Sequence, residues 1–164
     1  MKYFQVGLDV EVTGVKDGLY QIDINLSQLE KDERFNRFFK IFSSKSTDFW
    51  YNQDKIQDVK IPVINAKLLK KANITDVMGY TQNISFLNLV YSEKYINILK
   101  TFNVGNYVVF QVSIENIIGK YYFLFVETIL SKDIIFEHSI VYTGHQVLNN
   151  IEYFTFSNYD EYWE

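Results

Sequence analysis

An α+β fold, a twisted and mainly antiparallel sheet with two or three helices packed on one face, is predicted by three features. Two runs with a period of two occur near the start of the chain and apolar β runs follow later, two stretches carry apolar residues at helical spacing, and the connections are too irregular for a doubly wound sheet. Phe4, Val6, Leu8, Val10 and Val12 alternate with more polar neighbours, which is the pattern of a half-buried strand. Gly14, Asp17 and Gly18 supply turn chemistry, and Tyr20, Ile22, Ile24 and Leu26 alternate again. Together the two runs read as a hairpin. Ser27 and Glu30 fit a capping box, and Phe35, Phe38, Phe39 and Phe42 form an apolar stripe with Arg34, Arg37 and Lys40 turned outward. This predicts a helix over residues 28–42.

Residues 43–62 are polar, contain Trp50 and Tyr51 and end at the only proline, Pro62, which predicts an irregular connection. Residues 65–72 read as a short helix with Lys67, Lys70 and Lys71 on one solvated face, and 73–88 as irregular. Ser92 can accept a bond from an orphan N–H of a following helix, and Glu93 adds favourable charge at its start. Tyr91, Tyr95, Leu99 and Phe102 lie on one face of that helix, and Asn103-Val104-Gly105 stops it. Strands over 107–114 and 121–128 flank a turn at 115–120, and short β runs at 134–136, 140–142 and 151–156 complete the pattern.

At 164 residues and 48% hydrophobic composition, the chain reads as one domain, residues 1–164, with ample material for a core. Its 14 Phe and 13 Tyr accompany abundant Asn, Ile and Lys. All five types have AT-rich codons, so part of the aromatic load is genomic bias. Cysteine is absent, which excludes disulfides and thiolate metal sites. Asp9 and Glu11 fall where a leader would need an apolar core, and no stretch approaches the roughly 20 apolar residues of a membrane span. A cytoplasmic protein without membrane contact is expected.

The net charge of −4 is unevenly spread. Residues 1–82 hold 12 Lys/Arg and 11 Asp/Glu, whereas residues 83–164 hold 4 and 9. The acidic half disfavours nucleic acid and favours a basic partner.

Chemistry-bearing patterns are sparse. His138 and His145 lack metal-ligand spacing, so neither a metal nor a cofactor is expected. Ser139 adjoins His138, but neighbours on a strand point to opposite faces. The seven glycines form neither a phosphate loop nor a dinucleotide fingerprint. Asp9, Glu11 and Asp23 could meet across the first hairpin as an acid–base site, with a solvated sheet face as the plainer reading. No catalytic residue is assigned.

Two aromatic groups stand out as candidates for binding a partner: Trp50 with Tyr51, and the closing run Tyr159, Asp160, Glu161, Tyr162 and Trp163. Trp and Tyr combine a large rigid face with a polar handle, and neighbouring carboxylates suit the rim of a basic partner. Burial within the chain's own core is the alternative for both.

A longer pattern runs through the middle of the chain. It comprises Thr75-Asp76-Val77-Met78, Tyr91-Ser92-Glu93-Lys94, Ile98-Leu99-Lys100-Thr101-Phe102-Asn103-Val104, Asn106-Tyr107-Val108-Val109-Phe110, Tyr121-Tyr122-Phe123-Leu124 and Ile134-Ile135-Phe136-Glu137-His138-Ser139. This run, over residues 75–142, resembles a family of bacterial polymorphic-toxin immunity proteins, formerly a domain of unknown function. Similar proteins extend further beyond the position of Phe156. The resemblance implies a non-enzymatic cytoplasmic protein that binds a cognate protein toxin and occludes it, with no catalytic residues to transfer. A structural or homo-oligomerising domain and an enzyme with an unrecognised carboxylate site are the alternatives.

Overall fold

Short strands that alternate buried and exposed residues build the larger part of the molecule. The computed structural model describes residues 7–16, 19–42, 49, 53–81, 84–128, 130 and 133–163, and only the backbone of Asp54, Gln146 and Trp163. It is of the α+β class and divides into two compact units, Met1–Glu127 and Thr128–Glu164.

In the first unit, strands β1 (Ile22–Ile24), β2 (Ile64–Leu68), β3 (Val77–Met78), β4 (Val90–Ser92), β5 (Tyr107–Ile114) and β6 (Tyr121–Val126) form one sheet. Its order is β1-β2-β5-β6-β4-β3. Among the described strand pairs β2–β5 is parallel and the other four are antiparallel. The registers place Ile24, Ala66 and Ile114 in one row, and Val90, Phe123 and Phe110 in another. These side chains are buried on the same face.

The sheet curls until its two edges meet. Ile22 bridges Tyr80, just beyond β3. Gln21 N and Ile22 N donate to Gly79 O at 2.9 and 3.2 Å, and Thr81 N donates to Ile22 O at 3.1 Å. The close approach needs a glycine, because a Cβ on Gly79 would run into the Leu19 carbonyl. The curl satisfies backbone groups that an open edge would expose.

Helices α1 (Leu26–Leu29), α2 (Asn36–Ile41) and α3 (Glu93–Leu99) accompany this sheet. Phe38 and Phe42 of the α2 region meet Phe110 edge-on at 5.1 and 5.6 Å, and Phe42 meets Phe125 at 5.8 Å. The phenylalanine stripe therefore closes over the inner face of the sheet. It is not one continuous helix. Asn25 Oδ1 caps α1 through Gln28 N, and Asp32 Oδ1 accepts from Arg34 N at 3.0 Å, starting a new 3-10 turn at Glu33–Phe35. Local caps thus split the predicted 28–42 helix.

The first expected strand is also absent over its described part. Asp9 Oδ1 accepts from Glu11 N at 3.1 Å, which folds residues 10–12 into a turn. Val10 and Val12 are exposed, and β1 pairs with β2 instead of an N-terminal partner. Residues 1–6 of that expectation lie outside the described residues. The helix expected over 65–72 is likewise corrected to strand β2, where Ile64 and Ala66 alternate with exposed Asn65 and Lys67. Lys67 pairs with Glu115 across the sheet, and Lys71 sits at φ 71 in the following turn, so the lysines share no helix face.

Ser92 performs the expected capping role. Its Oγ accepts from Tyr95 N at 3.1 Å and donates to Asp76 Oδ1 at 2.7 Å, while Lys94 Nζ reaches Asp76 Oδ2 at 2.8 Å. β5 spans the predicted residues, β6 ends at Val126, and the expected 73–88 irregularity contains β3.

The second unit holds a two-stranded sheet, β7 (Val141–Thr143) antiparallel to β8 (Glu152–Phe154), and helix α4 (Tyr159–Trp163). The run expected at 134–136 contains no strand; a 3-10 turn begins at Phe136.

Candidate protein-binding surface

Within the 128–164 unit, one lysine stands against six Asp and Glu, a net −5, while residues 1–127 hold 15 Lys/Arg against 14 Asp/Glu. The excess negative charge of the chain is thus confined to its smaller unit. The same unit leaves Ile135, Ile140, Tyr142, Val147, Leu148 and Tyr153 more than 60% exposed, at 66, 68, 62, 84, 71 and 69%. These side chains are candidates for contact with another molecule.

A small aromatic core holds the unit together. The Phe136 ring lies 5.5 Å from Tyr162 and 6.5 Å from Phe156, and Phe156 meets Tyr162 edge-on at 5.4 Å. Phe154 stacks on Phe156 at 6.4 Å. Because successive strand residues face opposite ways, this draws Phe154 toward the core and leaves Tyr153 outward with its cross-strand partner Tyr142. The two tyrosine rings lie 6.3 Å apart, tilted by 53°.

The loop between the strands shapes that outward face. Gly144 adopts φ +91, and a side chain there would collide with Asn150 O. Asn150 Oδ1 accepts from His145 N at 2.8 Å, and His145 Nδ1 accepts from Val147 N at 3.3 Å. Tyr142, Gly144, His145, Ile151 and Tyr153 line the resulting hollow of about 450 Å3.

The residues singled out in the sequence fall into different settings. Tyr159, Asp160 and Glu161 are exposed on α4, with Tyr159 37% accessible. Glu161 also caps that helix: its carboxylate accepts from Ser157 N at 2.7 Å and its own N–H donates to Asn158 Oδ1 at 3.0 Å. Tyr162 is half-buried in the aromatic core. Trp163 ends the helix. Trp50 and Tyr51 lie outside the described residues. Sequence reading passed over Tyr142, Tyr153 and the Gly144–Asn150 loop, although the Gly-His and Asn-Asn pairs were a legible turn signal.

The carboxylates considered for acid–base chemistry do not gather in one site. Asp23 accepts a hydrogen bond from Thr81 Oγ1 at 2.5 Å and borders an open polar depression of about 460 Å3. Asn25, Gln28, Asn65, Lys67, Ser113 and Glu115 also line it; Asp9 and Glu11 do not. Among the described residues, no three His, Asp or Glu side chains are grouped to hold a metal ion.

Perturbed titration occurs in the first unit and has structural causes. Burial pushes the hydroxyls of Tyr80 and Tyr91 up to about 12. Hydrogen bonds from Lys94 and then Ser92 hold the Asp76 carboxyl below its ordinary value. No helix of the described residues is long and apolar enough to cross a membrane. Comparison with protein-family models, curated proteins and solved structures returns no match.

Proposed function

We propose that this chain is a non-enzymatic immunity protein of the cytoplasm that binds a basic protein toxin and occludes it through the surface of its 128–164 unit. One observation carries the reading: a net −5 and six strongly exposed apolar residues coincide in 37 residues. Carboxylates steer a basic partner into encounter, and aromatic anchors supply the contact area that holds it. The sequence resemblance supplies the biological class.

Self-association through the outer edges of β7 and β8, unpaired among the described residues, is a weaker alternative, because bringing two units of net −5 together is electrostatically opposed. Co-expression with the toxin encoded beside the chain's own gene tests the proposal. Co-purification and survival of the cells are expected, with the complex weakening as salt rises. Neither complex nor protection would refute it for that toxin.

A further inference from the structure

The hollow beside β7 and β8 has a chemistry more specific than general stickiness. Two tyrosines on adjacent strands wall it, both more than 60% exposed, and Ile151 adds apolar area. The loop that completes it is tied by hydrogen bonds from His145 N to Asn150 Oδ1 and from Val147 N to His145 Nδ1, so its shape is held by those two side chains. At about 450 Å3 it has room for a long side chain and the backbone that carries it.

An aliphatic side chain would use the rings but gain nothing from the net charge of the unit, whose carboxylates lie outside the lining itself, with Glu152 next to Tyr153 in sequence. A guanidinium uses both: it stacks on aromatic faces and is attracted by the unit's net −5. Its weak hydration makes it easier to bring against a ring than an ammonium. We infer that the hollow lined by Tyr142, Tyr153 and the Gly144–Ile151 loop receives an arginine side chain of a basic protein partner. This rests on the partner-binding reading above and names the group recognised.

The test uses the full chain with labelled tyrosine rings and a glycine-spaced peptide carrying two arginines, followed by NMR. A second peptide replaces each arginine by citrulline, which keeps the shape and removes the charge. The arginine peptide is expected to shift the Tyr142 and Tyr153 ring signals, with citrulline binding at least about threefold weaker. Replacing both tyrosines by leucine (Y142L/Y153L) should weaken arginine binding by about tenfold, whereas Y142F/Y153F should stay within about twofold. Equal binding of citrulline, or shifts confined to other tyrosines, would overturn the inference.

Failure here is separable from failure of the proposed function. A toxin neutralised equally by the wild type and by Y142L/Y153L would remove the arginine site and leave the immunity role standing. A specific arginine response in a chain that protects no cell would do the reverse.

Discussion

Tyr80 ties a buried turn of the first unit to the sheet. Its hydroxyl donates to Leu87 O at 2.5 Å and accepts from Ile84 N at 2.7 Å, both in buried residues, and its ring meets Phe123 at 5.0 Å. The turn it clamps holds Phe86 at φ 67, a strained setting for a bulky residue, with its ring stacked on Phe49 at 3.7 Å. Tyr80→Phe keeps the ring but strands two buried backbone groups, so a loss of about 1–3 kcal/mol is expected in urea unfolding. A change within error would show that other groups already satisfy that turn. Alkaline titration gives a second check. Tyr80 and Tyr91 are raised to about 12 in the folded chain against an ordinary 10.0. Their neutral forms therefore contribute stability that is complete below about pH 10 and is lost as pH rises toward 12. Tyr91→Phe should flatten the fall in stability measured across that window. For Asp76 the sign is opposite: its lowered value makes the contribution present above the ordinary carboxyl range and lost on acidification.

At the scale of elements, how far the sequence could be read depended on where each element's stabilising partners lie. The α3 cap, β5, β6 and the turn between them are built from neighbours along the chain, and all were legible. The Phe35–Phe42 stripe was legible as a buried face, but Asp32 breaks it into separate turns by a bond only two residues long. β2 was misread as a helix because its identity comes from flanking strands, β1 on one side and β5 on the other. The first alternating run failed through its own Asp9, whose carboxylate captures the backbone in a turn. Sheet closure at Gly79 was invisible, since its partners Gln21 and Leu19 lie far away in sequence. Gly79→Ala forces a Cβ into the Leu19 carbonyl and should cost about 1–3 kcal/mol or more. Gly105→Ala, with nothing within 4 Å, provides the control and should be tolerated. Equal stability of the two variants would argue that the edges are not closed as described.

For the whole molecule, charge and apolar surface are partitioned between two units. Residues 1–127 carry the buried phenylalanine-rich core, the curled sheet and nearly balanced charge. Residues 128–164 carry the excess of carboxylates and six apolar residues more than 60% exposed, although Ile118 of the first unit is more exposed than any of them. The closing aromatic run was legible as special, yet its parts divide: Tyr162 joins the small core, Glu161 caps α4, and Tyr159 and Asp160 remain exposed. Sequence distance hid the hollow, because Tyr142 and Tyr153 become neighbours only when β7 pairs with β8. Under the proposed function this chain acts by covering a partner, altering no covalent bond. Stoichiometry tests that most directly: the toxin's activity is titrated with the purified full chain, and the toxin is then released in denaturant, refolded and weighed by mass spectrometry. A titration that ends at a fixed whole-number ratio, followed by recovery of active toxin with unchanged mass, is the expected result. Inactivation by far less than one chain per toxin, or a toxin recovered with altered mass, would contradict it.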